Sequence, residues 1–168
     1  MKENKEILFE EKQRFTQWWF WLIILGCTAL IWYMIIWGVI LQNEIGGEEV
    51  SGGIISGFLL GVIGIAVPYL FYKLELKVEV TPKELSVKYK PFSNRKIQIT
   101  DIDKIEARQY KPFKEYGGWG IKGWKRSKIA YNVSGNQGVE LTMKNGNTVM
   151  IGSHKSEELE KVLKSLVK

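Results

Sequence analysis

The chain has 168 residues, with 24 Lys and Arg against 18 Asp and Glu for a formal charge of +6, and a mean hydropathy of −0.11. That length carries one ordinary domain, or a small domain together with membrane segments. A single cysteine, Cys27, and a single histidine, His154, exclude an intrachain disulfide framework and a four-ligand Cys/His zinc site within one chain.

The average hydropathy hides a segregation: residues 17–72 hold almost no charge, and the remainder is heavily charged. Residues 1–16 form an N-terminal arm in which Ile7, Leu8, Phe9 and Phe15 sit among charges. That pattern is compatible with a short interfacial helix, and equally with a frayed arm. The run from Gln17 to Leu41, QWWFWLIILGCTALIWYMIIWGVIL, carries no charge. At a rise of about 1.5 Å per residue it crosses a hydrocarbon core of about 30 Å with some tilt. Ile54–Tyr72, IISGFLLGVIGIAVPYLFY, is also uncharged and just long enough. Backbone amides in lipid must pair internally, so both runs are predicted to be helices, over about 18–41 and 54–72, with a connector at 42–53. A chain this short cannot bury two such helices on all faces within a soluble globule. Trp18, Trp19 and Trp21 fall at one end of the hairpin, Trp37 near the other, and Tyr69 and Tyr72 back at the first, as aromatic residues do at bilayer boundaries.

The flanks predict orientation. Lys2, Lys5, Lys12 and Arg14 precede the first span, and Lys73, Lys77, Lys83, Lys88 and Lys90 follow the second. The connector holds Glu44, Glu48 and Glu49 without a Lys or Arg. Positive charge stays inside, so the expected topology is a two-span cell-membrane protein with both termini cytoplasmic and the connector outside. A cleaved signal peptide is a poor reading of a run this long with no small-residue cleavage site. Leu25-Gly26-Cys27 is a poor lipoprotein site because apolar chain continues past it, and Cys27 is expected to face the neighbouring helix. Gly53, Gly57 and Gly61, with Gly64 close to the same face, make a ridge that admits another helix backbone. Packing against the first span and homodimerisation both satisfy it. Pro68 is expected to kink the inner end of its helix.

From residue 73 the texture changes to short alternating segments. LELKVEV (74–80), ELSVKYK (84–90), RKIQIT (95–100), DIDKIEARQY (101–110), KIAYNVS (128–134), GVELTMK (138–144) and NTVMIGS (147–153) read as about seven mostly antiparallel strands. Thr81–Glu84 and Pro91–Asn94 read as turns, and Asn145-Gly146 is a strong hairpin signal. Residues 111–127 read as a glycine-rich loop. A terminal helix follows, with Ser156 as its expected cap, Glu157 and Glu158 in the first turn, and Leu159, Val162, Leu163 and Leu166 on one face.

The segments TPKELSVKY, ITDIDKIEA, GWGIKGWKRSKIAYNVSGNQGVELTMKNG and IGSHKSEELEKVL resemble the bacterial PH-like (pleckstrin-homology-like) domains of small membrane proteins, most of uncharacterised function, over about the last 95 residues. The resemblance implies a PH-like antiparallel β-barrel or sandwich with a C-terminal helix over 73–168, and hence an α+β membrane protein overall. It implies a fold and no activity. Phosphoinositide recognition is not carried over, since Lys77, Lys83, Lys88 and Lys90 do not form the basic motif of inositide-binding members.

Little in the chain reads as catalytic, and no cofactor, metal or enzyme activity is expected. Gly118-Trp119-Gly120-Ile121-Lys122-Gly123 spells G-x-G-x-x-G, but a strand-like sequence follows where a dinucleotide site needs a helix. His154 lacks a nucleophile and an orienting acid at recognisable spacing and reads as a loop or capping residue. Asp101, Asp103 and Glu106 read as a solvated strand edge before a metal site.

The informative stretch is RQYKPFKEYGGWGIKGWKRSK, residues 108–128. Arg108, Lys111, Lys114, Lys122, Lys125, Arg126 and Lys128 stand there against Glu115 alone, with Trp119 and Trp124 among the interleaved aromatics. Residues 73–168 hold 20 Lys and Arg against 11 Asp and Glu, a surplus of +9. Anionic headgroups, an acidic protein partner and plain solvation all suit such a segment; nucleic acid does not, since no DNA or RNA motif accompanies it. Practically no linker separates Tyr72 from the first strand, so lipid is the first expectation: each cation near an anionic leaflet contributes about 1 kcal/mol. The expected function is a non-enzymatic, membrane-anchored module whose basic aromatic loop contacts anionic lipid headgroups or a membrane-associated partner. The alternative is an accessory or regulatory subunit of a larger membrane complex, assembled through the glycines of the second span.

Overall fold

The computed structural model describes residues 6–45, 50–125 and 127–167, with side chains for all but 39–45, 50–54, 124 and 125. The chain divides into two compact units, Phe15–Lys73 and the combination of Met1–Arg14 with Leu74–Lys168.

The first unit is a pair of helices, α1 (Trp18–Ile45) and α2 (Val50–Lys73). Both run further into the connector than expected, because residues 42–45 and 50–53 continue the helical hydrogen bonding; the loop core 46–49 lies outside the described residues. Segments Trp18–Gly38 and Ile55–Lys73 are long and apolar enough to span a membrane. Helix α2 continues through Pro68. Its glycines face α1: a Cβ added at Gly57 would lie 3.9 Å from Ile35 Cγ2, at Gly61 3.6 Å from Trp32 Cη2, and at Gly64 3.3 Å from Trp32 Nε1. The surroundings of Gly53 lie outside the described side chains. Missing Cβ atoms thus make room for the Trp32 indole, and the ridge is used within the chain. At one end of the pair Phe20 stacks on Phe15 at 5.1 Å and meets Phe71 edge-on at 5.0 Å, while Trp21 Nε1 donates to the Phe15 carbonyl at 2.6 Å. Cys27, expected to pack on the neighbouring helix, is exposed.

The second unit carries a strand that was not expected. Residues Phe9–Arg14 are neither an interfacial helix nor a frayed arm; they form β1, antiparallel to β2 (Glu75–Val80) from Phe9↔Val80 to Arg14↔Glu75. The helical pair is therefore inserted between two hydrogen-bonded neighbouring strands. Alternation sends Phe9, Glu11 and Gln13 inward and Glu10, Lys12 and Arg14 outward. Next come β3 (Glu84–Lys90) and β4 (Ser93–Gln98), completing a sheet in the order β1-β2-β3-β4. The turn at Thr81–Glu84 forms as expected, with Thr81 N–H donating to Glu84 O at 3.0 Å and Glu84 N–H to Thr81 Oγ1 at 3.2 Å.

A second sheet is built from β5 (Ile102–Gln109), β6 (Gly120–Lys125), β7 (Lys128–Asn132), β8 (Gln137–Met143) and β9 (Thr148–Gly152), in the order β5-β8-β9-β7-β6. All its pairings are antiparallel except β7 with β9, which is parallel. The β strands form two sheets rather than a closed barrel. The Asn145-Gly146 turn joins β8 to β9, Gly146 taking φ 81° and Met143 N–H donating to Asn147 O at 2.8 Å. The unit closes with α3 (Ser156–Leu166), which buries Leu159 and Leu163 completely against β5 and β8. Ser156 is its first helical residue and makes no cap; the N-cap is Lys155, whose N–H is taken by Ser153 Oγ at 3.0 Å. Leu76, Val78, Val80, Leu85, Val87, Val139, Leu141 and Ile151 supply the wholly buried core.

Candidate functional site

The segment expected to be a basic aromatic loop is mostly ordered backbone. It begins at the end of β5, passes through a single π turn at Pro112–Tyr116, and becomes the edge strand β6, paired with β7. Its glycines permit this. Gly117, Gly118 and Gly120 take positive φ of 82°, 122° and 113°, and a Cβ on Gly123 would collide with the Lys128 carbonyl oxygen. The G-x-G-x-x-G spelling therefore opens a strand.

Beneath the segment the side chains are tied down. Tyr110, Tyr116, Ala130 and Met150 form a buried cluster, Tyr110 edge-on to Tyr116 at 5.9 Å. Asn132 Nδ2 donates to Tyr110 Oη at 2.9 Å, and Asn132 Oδ1 accepts from the Gly120 N–H at 2.8 Å, stapling the start of β6 to the core.

The candidate cations separate into three groups. Arg108 is neutralised: its guanidinium reaches Glu115 at 2.7 Å and Glu140 at 2.5 Å, and these carboxylates push its pKa upward. Reciprocally, the Arg108 hydrogen bond holds Glu115 below the usual carboxylate range. Glu115 also accepts from the Lys111 N–H at 2.7 Å, closing the π turn. Lys128 is half-buried, with its ammonium 5.1 Å from the Tyr116 ring centroid. Lys111, Lys114 and Lys122 are exposed and make no ion pair among the described residues. Trp124 and Lys125 belong to β6, but their side chains lie outside those described, and Arg126 lies outside the described residues.

Beside the free lysines stands an aromatic pair. Phe113, at the turn, is 63% exposed and meets Trp119 edge-on at 4.9 Å, while Trp119 Nε1 donates to the Gly135 carbonyl at 3.3 Å. Among the described residues of this unit, the other exposed large apolar side chains are Ile7, Leu8, Phe92 and Ile121. Phe92, not among the residues expected at a site, lies in the β3–β4 turn beside a cavity of about 280 Å³ lined by Lys88, Lys90, Pro91, Phe92, Ser93 and Asn94. A lone aromatic in a Pro-containing turn was its signal.

A buried polar cluster, also not expected from the sequence, lies around Glu11. Glu11 on β1 accepts from Ser153 Oγ at 2.5 Å, the His154 N–H at 2.9 Å and Gln13 Nε2 at 3.1 Å. His154 sits in the loop before α3, with its Nε2 3.1 Å from Ser134 Oγ. Asp101 ends a short 3-10 turn just before β5, and Asp103 and Glu106 lie on the strand, Glu106 paired with Lys104 at 2.8 Å.

A family model matches residues 1–168, that of a family of unknown function, DUF6141. No curated protein and no solved structure matches the chain.

Proposed function

As the chain belongs to the family of unknown function DUF6141, we propose from its physical chemistry that it is a non-enzymatic module anchored in the cell membrane by α1 and α2, whose β unit uses the Lys111–Lys122 surface to contact anionic headgroups or a membrane-associated partner. The observation that carries this reading is the exposure of the helices. Among the described residues, eleven large apolar or aromatic side chains on each helix are more than a third exposed, including Leu22, Leu30, Met34, Phe58, Ile65 and Tyr69. Fully burying such a side chain is worth about 1.5–3 kcal/mol, so leaving all of them roughly half in water forfeits on the order of 15–35 kcal/mol, against a whole-domain stability of about 5–15. A bilayer removes the deficit.

Strand pairing supports the topology. Because β1 and β2 hydrogen-bond to each other, both ends of the helical insertion lie on one side of any membrane it crosses. The Lys and Arg surplus on that side, against Glu44, Glu48 and Glu49 in the connector, makes it the cytoplasmic side. The β unit is a diverged PH-like module in this reading: two largely antiparallel sheets and one C-terminal amphipathic helix support it, while the parallel β7–β9 pair and the unclosed sheets depart from it. Assembly into a larger complex through the second span draws less support, since Gly61 and Gly64 already receive Trp32.

Hydrogen exchange of the full chain in lipid nanodiscs tests the headgroup contact. Amides of 111–122 should exchange several-fold more slowly in anionic than in neutral bilayers, and the difference should vanish at high salt or on changing Lys111, Lys114 and Lys122 to Gln. Equal exchange in both bilayers would sink the proposal.

A further inference from the structure

The β3–β4 turn repeats the chemistry of the π turn. Tyr89-Lys90-Pro91-Phe92 and Tyr110-Lys111-Pro112-Phe113 are the same four residues, each leaving the end of a strand. In both, the tyrosine is buried, 3% and 1% exposed, while the phenylalanine stands out, 62% and 63% exposed. The first turn is closed by the Phe92 N–H on Tyr89 O at 2.8 Å. The tyrosines converge: Tyr89 Oη lies 3.9 Å from the Cβ position of Gly120, whose N–H is linked through Asn132 to Tyr110.

Strand register places the first turn where the chain departs for α1. Arg14 pairs with Glu75 and Glu75 with Lys90, so the three stand abreast on β1, β2 and β3. At about 4.8 Å per strand, Lys90 lies about 10 Å from the point at which the chain leaves for the helical unit. Charge is left over there: among the described residues, Arg14 and Lys90 share the carboxylate of Glu75, while Lys12, Lys77 and Lys88 have only Glu10 and Glu79 between them. The adjoining cavity offers two ammonium groups, a hydroxyl and an amide, with no acidic lining residue.

We propose that the Tyr89–Asn94 turn is a second bilayer contact, in which the Phe92 ring enters the headgroup–acyl boundary and the pocket of Lys88, Lys90, Ser93 and Asn94 takes the phosphate of an anionic phospholipid. This rests on reading α1 and α2 as spans. An apolar ring flanked by cations suits that depth, where the ring leaves water and the ammonium groups meet phosphates.

The test uses the full chain with Cys27→Ala, carrying an environment-sensitive dye at Phe92→Cys, and compares it with Leu30→Cys in α1 and with Asn145→Cys at the exposed β8–β9 turn. Each is reconstituted into bilayers containing phosphatidylglycerol brominated near the headgroup, or into neutral brominated phosphatidylcholine. The dye at 92 should be quenched several-fold more than at 145 in the anionic bilayer, and Lys88→Gln with Lys90→Gln should bring it down to the neutral-bilayer level. Equal quenching at 92 and 145, with Leu30→Cys quenched by deep-brominated lipid, overturns this inference and leaves the spans standing. No deep quenching at 30 overturns the span reading and this one with it. A response at 92 to inorganic phosphate alone in detergent overturns the lipid assignment.

Discussion

Glu11 is a buried carboxylate that survives burial because three donors converge on it, two of them from the loop leading into α3. Replacing it with Ala leaves Ser153 Oγ and the His154 N–H facing a gap, and each unsatisfied buried group costs about 1–3 kcal/mol. Glu11→Ala should therefore lower the midpoint of thermal unfolding in detergent well below that of the exposed control Glu158→Ala. Carboxylates at the surface predict the acid response. The Arg14 hydrogen bond holds Glu75 below the ordinary range, as the Arg108 bond holds Glu115. For a depressed carboxylate, the stabilisation is present above the unfolded-state pKa, about 4.3, and is lost as pH falls through the lower folded value. Melting of the β unit should thus be flat from pH 7 to 5 and drop below pH 4; Glu75→Gln and Glu115→Gln should flatten that drop. None of these long-range partners was legible in the sequence, where Glu11 is one charge in an arm and its donors Ser153 and His154 lie 142 and 143 residues away.

Elements were legible in proportion to how local their causes are. Helix α3 declares itself through Leu159 and Leu163 on one face, and the β8–β9 hairpin through Asn145-Gly146 between alternating runs. Strand β1 was missed because its partner β2 lies beyond the whole helical insertion, and six alternating residues with many charges do not by themselves tell a strand from a frayed arm. Strand β6 was missed because glycines read as a loop; here Gly123 is demanded by the close approach of Lys128. Gly123→Ala should cost about 1–3 kcal/mol as an overpacked contact, and hydrogen exchange should rise along Gly120–Lys125 specifically. In the helical unit, Gly64→Leu meets the Trp32 indole and should separate α1 from α2. Loss of a disulfide between cysteines placed at positions 35 and 57, which face each other at present, would report it.

At the scale of the whole molecule, an insertion between paired strands makes a separable design. Arg14 and Glu75 are antiparallel neighbours, so an Asn-Gly turn can replace residues 15–74. That chain should fold and remain in solution without detergent, as judged by far-UV circular dichroism and cooperative melting, whereas residues 74–168 alone should not, because they leave the inner edge of β2 and the Ser153–His154 donors without β1. What the sequence determined alone was whatever depends on composition and short-range period: two uncharged runs of spanning length, a lysine-rich flank on each, alternating strands, one amphipathic helix. Only the tertiary structure decided that the N-terminal arm belongs to the tail, that Gly61 and Gly64 of α2 make room for Trp32, that Arg108 is neutralised while Lys111, Lys114 and Lys122 make no ion pair among the described residues, and that Phe92 stands beside them in kind. The reason is physical: hydropathy and periodicity are sums over neighbours along the chain, whereas pairing, burial and charge neutralisation depend on residues brought together from far apart.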